Sequence, residues 1–162
     1  MLNSLDYSQV KQEFTSSYAG TVSCDFTKNG CRLPTEAEWE FAARGGNKSA
    51  ADWNYTYAGS NKINDVAWHA SYSDFKTHEV KKKEANGLEL YDMSGNVCEW
   101  CWDWYGSSIK ADTSATGPLS GSTRVKRGGS CFDMSDYCSV SYWGNNSPSY
   151  CDNNLGFRLF AL

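Results

Sequence analysis

The stretch RLPTEAEWEFAARGG, Arg32 to Gly46, carries start and stop signals for one short helix. Thr35 followed three residues later by Glu38 is a capping box, in which the hydroxyl accepts from the first turn and the carboxylate reaches back to the Thr35 backbone N–H. Trp39, Ala42 and Ala43 form an apolar stripe at helical spacing, and Gly45-Gly46 ends it. The pattern predicts a helix from Glu36 to Arg44 with one face on a core.

Downstream, NGLELYDMSGNVCEWCWDWYG (Asn86 to Gly106) has a turn at Ser94-Gly95-Asn96. Val97, Glu99, Cys101 and Asp103 then alternate with Cys98, Trp100, Trp102 and Trp104. That is a strand with one aromatic face, and the Trp100, Trp102 and Trp104 row is assigned to the core. RVKRGGS (Arg124 to Ser130) reads as a second strand and LGFRLFAL, from Leu155, as a third. The aperiodic region from Asn47 to Lys83 reads as long packed loops, and Gly106 to Thr123 as a Gly, Ser and Thr-rich connection. With no repeat or linker, residues 1–162 read as a single α+β domain, loop-rich, with short helices and a small antiparallel sheet.

Composition narrows the function. Aromatic residues make up 15% of the 162 residues, yet the mean hydropathy is −0.60, so the rings sit in a polar, turn-rich chain. Basic residues are scattered apart from Lys81, Lys82 and Lys83, which read as a solvated loop, and the net charge is −4. No basic stripe invites nucleic acid. No apolar run approaches the ~18 residues of a membrane span, so membrane contact by the domain itself is not expected. MLNSLDYSQV lacks the apolar core of a signal peptide, so neither signal nor anchor is read in this chain. Seven Cys in so small a domain point to an exported setting. Cys24 and Cys31 flank a turn-like DFTKNG and are candidates to close a loop. Cys98 and Cys101 form a CxxC with no second pair to complete a zinc site, and His69 and His78 read as packed or solvated rather than as ligands.

Between RVKRGGS and LGFRLF lies CFDMSDYCSVSYWGNNSPSYCDNN, Cys131 to Asn154, without a Lys, Arg, Glu or Gln. Tyr and Trp offer stiff, amphipathic contact area at low entropic cost, while Ser, Asn and Gly adapt their hydrogen bonds, as in antibody paratopes. The candidate ligand-binding residues are Phe132, Asp133, Asp136, Tyr137, Ser139, Tyr142, Trp143, Gly144, Asn145, Tyr150 and Asp152, with Tyr137, Tyr142, Trp143 and Tyr150 as anchors. Binding requires them to converge, so Phe132, Asp133, Tyr142, Trp143, Tyr150 and Asp152 are expected exposed on one side above inward-pointing Val140, Leu155 and Phe157. RVKRGGS and LGFRLF are expected to pair and hold the segment's ends together. Substitutions from Phe132 to Asp152 are expected to leave the fold intact.

In their order, RLPTEAEWEFAARGG, GLELYDMSGNVCEW, RVKRGGS and LGFRL resemble the formylglycine-generating enzyme and sulfatase-modifying-factor family, which has a C-type-lectin-like fold. The likeness covers roughly Cys31 to Leu159, and the family's opening strands are not recognisable before Cys31. The family's enzymes oxidise a substrate cysteine with a copper-binding cysteine pair. The second of these falls on Cys138 but the first on Asp133, and Cu(I) selects sulfur over oxygen. The oxidase reading survives as the alternative, with Cys131 standing in as second thiolate.

The layout of residues 131–154 is similar to the variable region of proteins diversified by diversity-generating retroelements, in which template adenines are copied with errors. Asn codons of the AAY kind never yield Lys, Glu, Gln, Met or Trp in this process, so Met134 and Trp143 require other codons. The resemblance implies a non-catalytic, receptor-like protein on the cell surface, binding a variable protein or cell-surface ligand and needing no cofactor. The likeness to the formylglycine-generating enzyme family implies a candidate structural calcium at Asp92, Glu99 and the carbonyls of Gly95 and Val97, an oxygen set that suits the ion.

Overall fold

The computed structural model describes residues 24–26, 28, 30–106 and 117–161. The segment ahead of residue 24 and part of the 106–123 connection lie outside the described residues.

Helix α1 spans Glu36–Ala43, with the full Thr35–Glu38 capping box in place. It stops one residue before the predicted end because Arg44 serves as its C-cap. Gly45 N–H donates to Ala42 O (3.1 Å) and Gly46 N–H to Phe41 O (2.9 Å), the paired bonds of a Schellman motif. Within the predicted loop region, a single turn α2 (Ile63–Val66) leads into strand β2 (Ala67–Trp68). Strand β2 pairs in parallel with β3 (Ser94–Gly95). At Gly95 φ is +75°, and a Cβ would stand 2.3 Å from the Trp68 carbonyl oxygen, so only glycine fits that crossing.

The main sheet contains β4 (Cys98–Trp104), β5 (Arg124–Arg127), β6 (Trp143–Asn146) and β7 (Leu155–Gly156), in the order β6-β5-β4-β7. It is mixed rather than antiparallel throughout, because β7 runs parallel to β4. The predicted pairing of RVKRGGS with LGFRLF does not form, since β4 lies between them. LGFRLFAL instead divides into β7 and β8 (Phe160–Ala161), and β8 pairs with β1 (Cys31–Arg32).

The core is small: Trp39, Ala43, Ala58, Met93, Cys101, Val125 and Val140. The tryptophan row of β4 is not in it. Trp100, Trp102 and Trp104 are half-buried, whereas Glu99, Cys101 and Asp103 point inward. The row is occupied outside the core: the Arg124 guanidinium lies 4.7 Å from the Trp102 ring centroid and 4.1 Å from that of Trp104. The inward polar groups have partners. Asp103 accepts from the Glu36 N–H (2.8 Å), and Trp39 Nε1 donates to Glu99 (2.7 Å).

Arg127, the last residue of β5, is fully buried. Its guanidinium lies over Trp39 (5.0 Å), 3.1 Å from Glu36 at the start of α1, and pairs with Glu40 one turn further on. It also donates to the carbonyls of Val140 (2.9 Å) and Tyr142. Removing one partner of a buried ion pair costs roughly 3–5 kcal/mol, because the other charge is left uncompensated. Arg127→Met is therefore expected to destabilise by that amount, read as a lower urea midpoint at unchanged m-value. A loss below about 1 kcal/mol, typical of surface changes, would show that the network does not hold the frame.

Candidate functional site

The segment from Cys131 to Asn154 crosses the domain as a turn, a 3-10 turn at Ser135–Cys138, strand β6 and a loop returning to β7. Its start is set by Gly129, at φ +66°, where a Cβ would meet Cys138 Sγ and Tyr137 O at 2.7 Å. The flanking frame grips the segment chiefly through main-chain atoms. Ser73 Oγ donates to Cys131 O (2.6 Å), Ala70 N–H to Asp133 O (2.9 Å) and Ser94 Oγ to Cys138 O (2.8 Å). Arg127 takes the carbonyls of Val140 and Tyr142, Val140 N–H donates to Thr56 O (2.9 Å), and Cys98 N–H to Asn154 O (2.8 Å).

Several candidate side chains come together above this grip. Tyr137 and Tyr142, both exposed, meet edge to face with centroids 4.9 Å apart. Burial raises the Tyr142 phenol above its ordinary pKa, with further contributions from Tyr137 and Asp133. Gly144 pairs with Lys126 of β5, and its missing Cβ would lie 3.2 Å from Lys126 Cε and 3.7 Å from the Tyr142 ring. Tyr150 donates to Asp152 (2.6 Å). That bond holds the Asp152 carboxyl below the usual range, and Lys126 lowers it further. Asp136 is exposed, and Ser139 bonds back to its carbonyl (3.0 Å). Lys126 was missed as a site residue, although its place next to inward Val125 in RVKR signals that it faces the other way.

Other candidates are placed differently. Trp143 is half-buried, rests on Tyr105 (4.8 Å) and packs against the core. Trp143 and Asn145 share a sheet face with Arg127 and Val125, opposite Gly144. Asp133 is half-buried and turned inward, accepting from Ser130 Oγ (2.6 Å) and the Cys98 thiol (3.7 Å). Phe132 is exposed but touches Phe75, from a loop that the sequence does not mark as part of the site. Beneath the segment Val140 points inward as expected and Leu155 is half-buried, but Phe157 is 55% exposed.

The thiols are free among the described residues. Cys98 and Cys101 lie three apart on one strand and so face opposite sides of the sheet, which rules out joint chelation by this CxxC. Burial pushes the Cys98 and Cys138 thiols up to about 12, Asp133 adding to both shifts, and burial also raises Cys131. His69 and His78 are packed: His69 bonds to Asn64 (3.0 Å), and His78 stacks on Trp68 (3.9 Å). Lys83 is not simply solvated, since its ammonium lies 4.1 Å from the Trp68 ring centroid.

Asp92, Val97 and Glu99 line an open cleft of about 460 Å³. Asp92 Oδ1 is buried without a hydrogen-bond partner, an atom that a cation would satisfy. Glu99, however, accepts from Arg158 through both oxygens (2.6 Å each) and from Trp39. A guanidinium already occupies the place of a cation there, and the four residues do not make a finished calcium cage. Among the described residues no group of three or more His, Cys, Asp or Glu is arranged to hold a metal.

A loop-rich α+β frame with one capped helix against a small mixed sheet is the C-type-lectin-like fold of the formylglycine-generating-enzyme type. Residues 6–161 match the sulfatase-modifying factor enzyme 1-like domain, upstream of Cys31 as well as beyond it, and the chain belongs to that family. It is 38% identical over 146 residues to the formylglycine-generating enzyme of Streptomyces coelicolor, covering 80% of this chain and 46% of that protein. It is 34% identical over 156 residues to the chaperone protein LppX of Paenibacillus barcinonensis, covering 86% of this chain and 52% of that one. The solved structure of Treponema denticola variable protein 1 superposes with a TM-score of 0.75 at 48% identity, over 83% of this chain and 49% of that one. The chain thus spans about half the length of these relatives.

Two outcomes follow from the geometry. Asp133→Ala is expected to cost roughly 1–3 kcal/mol by unpairing Ser130 and Cys98, whereas Tyr150→Ala stays within ~0.5; equal thermal shifts would contradict the inward placement of Asp133. Calcium or EDTA is expected to leave the melting temperature unchanged, and a rise on calcium addition would show that Arg158 yields Glu99 to the ion.

Proposed function

We propose that the chain is a non-catalytic binding module presenting a retroelement-diversified surface, residues 131–154, to a protein or cell-surface ligand. One observation carries this reading. The frame bonds the segment mainly by its carbonyls and N–H groups, so a tyrosine, serine or asparagine can replace another there without cutting those bonds. A scaffold for variation needs that separation between what is held and what is displayed. The edge-to-face Tyr137–Tyr142 pair and the Tyr150–Asp152 pair are suitable anchors, rigid and amphipathic. The likeness to Treponema denticola variable protein 1 supports the same reading, and display at the cell surface is proposed with it. Exposed Asp136 and Asp152 favour a ligand with basic groups over nucleic acid.

The family's oxidase chemistry needs two thiolates. Asp133 holds one of those positions, engaged with Ser130 and Cys98, and a carboxylate does not replace a thiolate for Cu(I). Supplied with Cu(I) and a peptide bearing a sulfatase-type cysteine motif, the protein is expected to leave the peptide cysteine unconverted by mass spectrometry. Turnover would sink the binding reading and restore the oxidase. Diversification has its own genomic test: a neighbouring reverse transcriptase and a near-copy of the sequence encoding residues 131–154, differing only at adenines, should accompany the gene.

A further inference from the structure

The loop preceding residue 77 carries a conformation that sequence alone would not favour. Ser73 to Lys76 closes a turn through a Lys76 N–H to Ser73 O bond (3.2 Å), with both central residues left-handed, Asp74 at φ +53° and Phe75 at φ +54°. Such turns normally take Asn and Gly, and a bulky residue at positive φ is a genuine outlier. The strain holds an aromatic ring outward: Phe75 is 62% exposed, and Tyr72, in the same loop, 58%. The loop is not free to drift. Ser73 and Ala70 bond to the carbonyls of Cys131 and Asp133, and His78 Nε2 bonds to Ser73 O (2.9 Å) while its ring is stacked on Trp68. These bonds set Phe75 against Phe132 (centroids 6.3 Å apart), and Met134, two residues further along the segment, is exposed.

Backbone strain that the surroundings over-determine clusters at functional sites. Resting on the binding reading above, we infer that Phe75, with Tyr72 exposed in the same loop, forms an apolar anchor outside residues 131–154 that meets the segment at Phe132. The occupant is a protein segment offering an apolar side chain flanked by basic residues. The charge on the two loops argues for that choice: Asp74 and Lys76 offset each other at 3.6 Å, which leaves exposed Asp136 without an ion pair among the described residues.

The test pans a phage-displayed random-peptide library against the full chain and measures the enriched peptides on variants. Phe75→Gly suits the left-handed turn, so its melting temperature is expected to be unchanged or higher, while affinity falls at least about tenfold, as for a hot-spot ring. Tyr72→Ser is expected to lower affinity in the same direction. Peptides that lose binding with Tyr142→Ser but not with Phe75→Gly would overturn this inference and leave the displayed segment as the site. Peptides sensitive to none of the three, or no enrichment at all, would overturn both readings. Enriched sequences flanked by acidic residues, or a lower melting temperature for Phe75→Gly, would overturn the anchor role.

Discussion

A buried guanidinium organises this domain. Arg127 ends the central strand β5 beneath the helix, and its charge is balanced by Glu36 and Glu40 on successive turns of α1 while its remaining donors reach Val140 and Tyr142. A buried charge is costly unless paired, and Arg127 is paired twice although its Nε and Glu36 Oε1 make no hydrogen bond. The helix, the sheet and the crossing segment must therefore be in register for any of them to be stable. With a core of so few apolar residues, that polar clamp does work that larger domains assign to packing.

The clamp also divides the surface. Carbonyls of the 131–154 segment are claimed by Ser73, Ser94 and Arg127, and its Val140 N–H by Thr56, so most of its side chains have no structural duty. Cys131, Val140 and Trp143 pack inward, and Asp133 and Cys138 are further exceptions. One is bonded to Ser130 and Cys98, and the other is enclosed beneath Gly129. By the family resemblance these two positions correspond to the oxidase's paired cysteines. In this chain one is a carboxylate in a hydrogen-bonded corner and the other a thiol that burial pushes up to about 12.

A second ion pair adjoins the first, since Glu99 is the cross-strand partner of Arg127 and both meet Trp39. Arg158, in the GFR phrase, joins Glu99 of β4 and the Tyr91 carbonyl, tying the chain's last described strands to the core strand. Glu99 also accepts from Trp39, so helix, sheet and C-terminal segment share one carboxylate. The family resemblance marked Glu99 as a candidate metal ligand, but a carboxylate cannot be assigned a counter-ion until its neighbours are known, and the neighbour here comes from 59 residues downstream.

Local rules were enough for what local bonds decide. The Thr35–Glu38 box and the Gly45-Gly46 stop defined α1 almost to the residue, and alternation located β4, because capping and strand periodicity depend on neighbours a few positions away. Which face of β4 turns inward was not legible: the row of tryptophans looked like core, yet Glu99, Cys101 and Asp103 took that side because Arg158, Trp39 and α1 supply partners for the two carboxylates. The partnership of Phe132 with Phe75, the inward turn of Asp133 and the placement of β4 between β5 and β7 were equally invisible. Each depends on contacts between segments far apart in the chain, and only tertiary packing brings those groups within bonding distance.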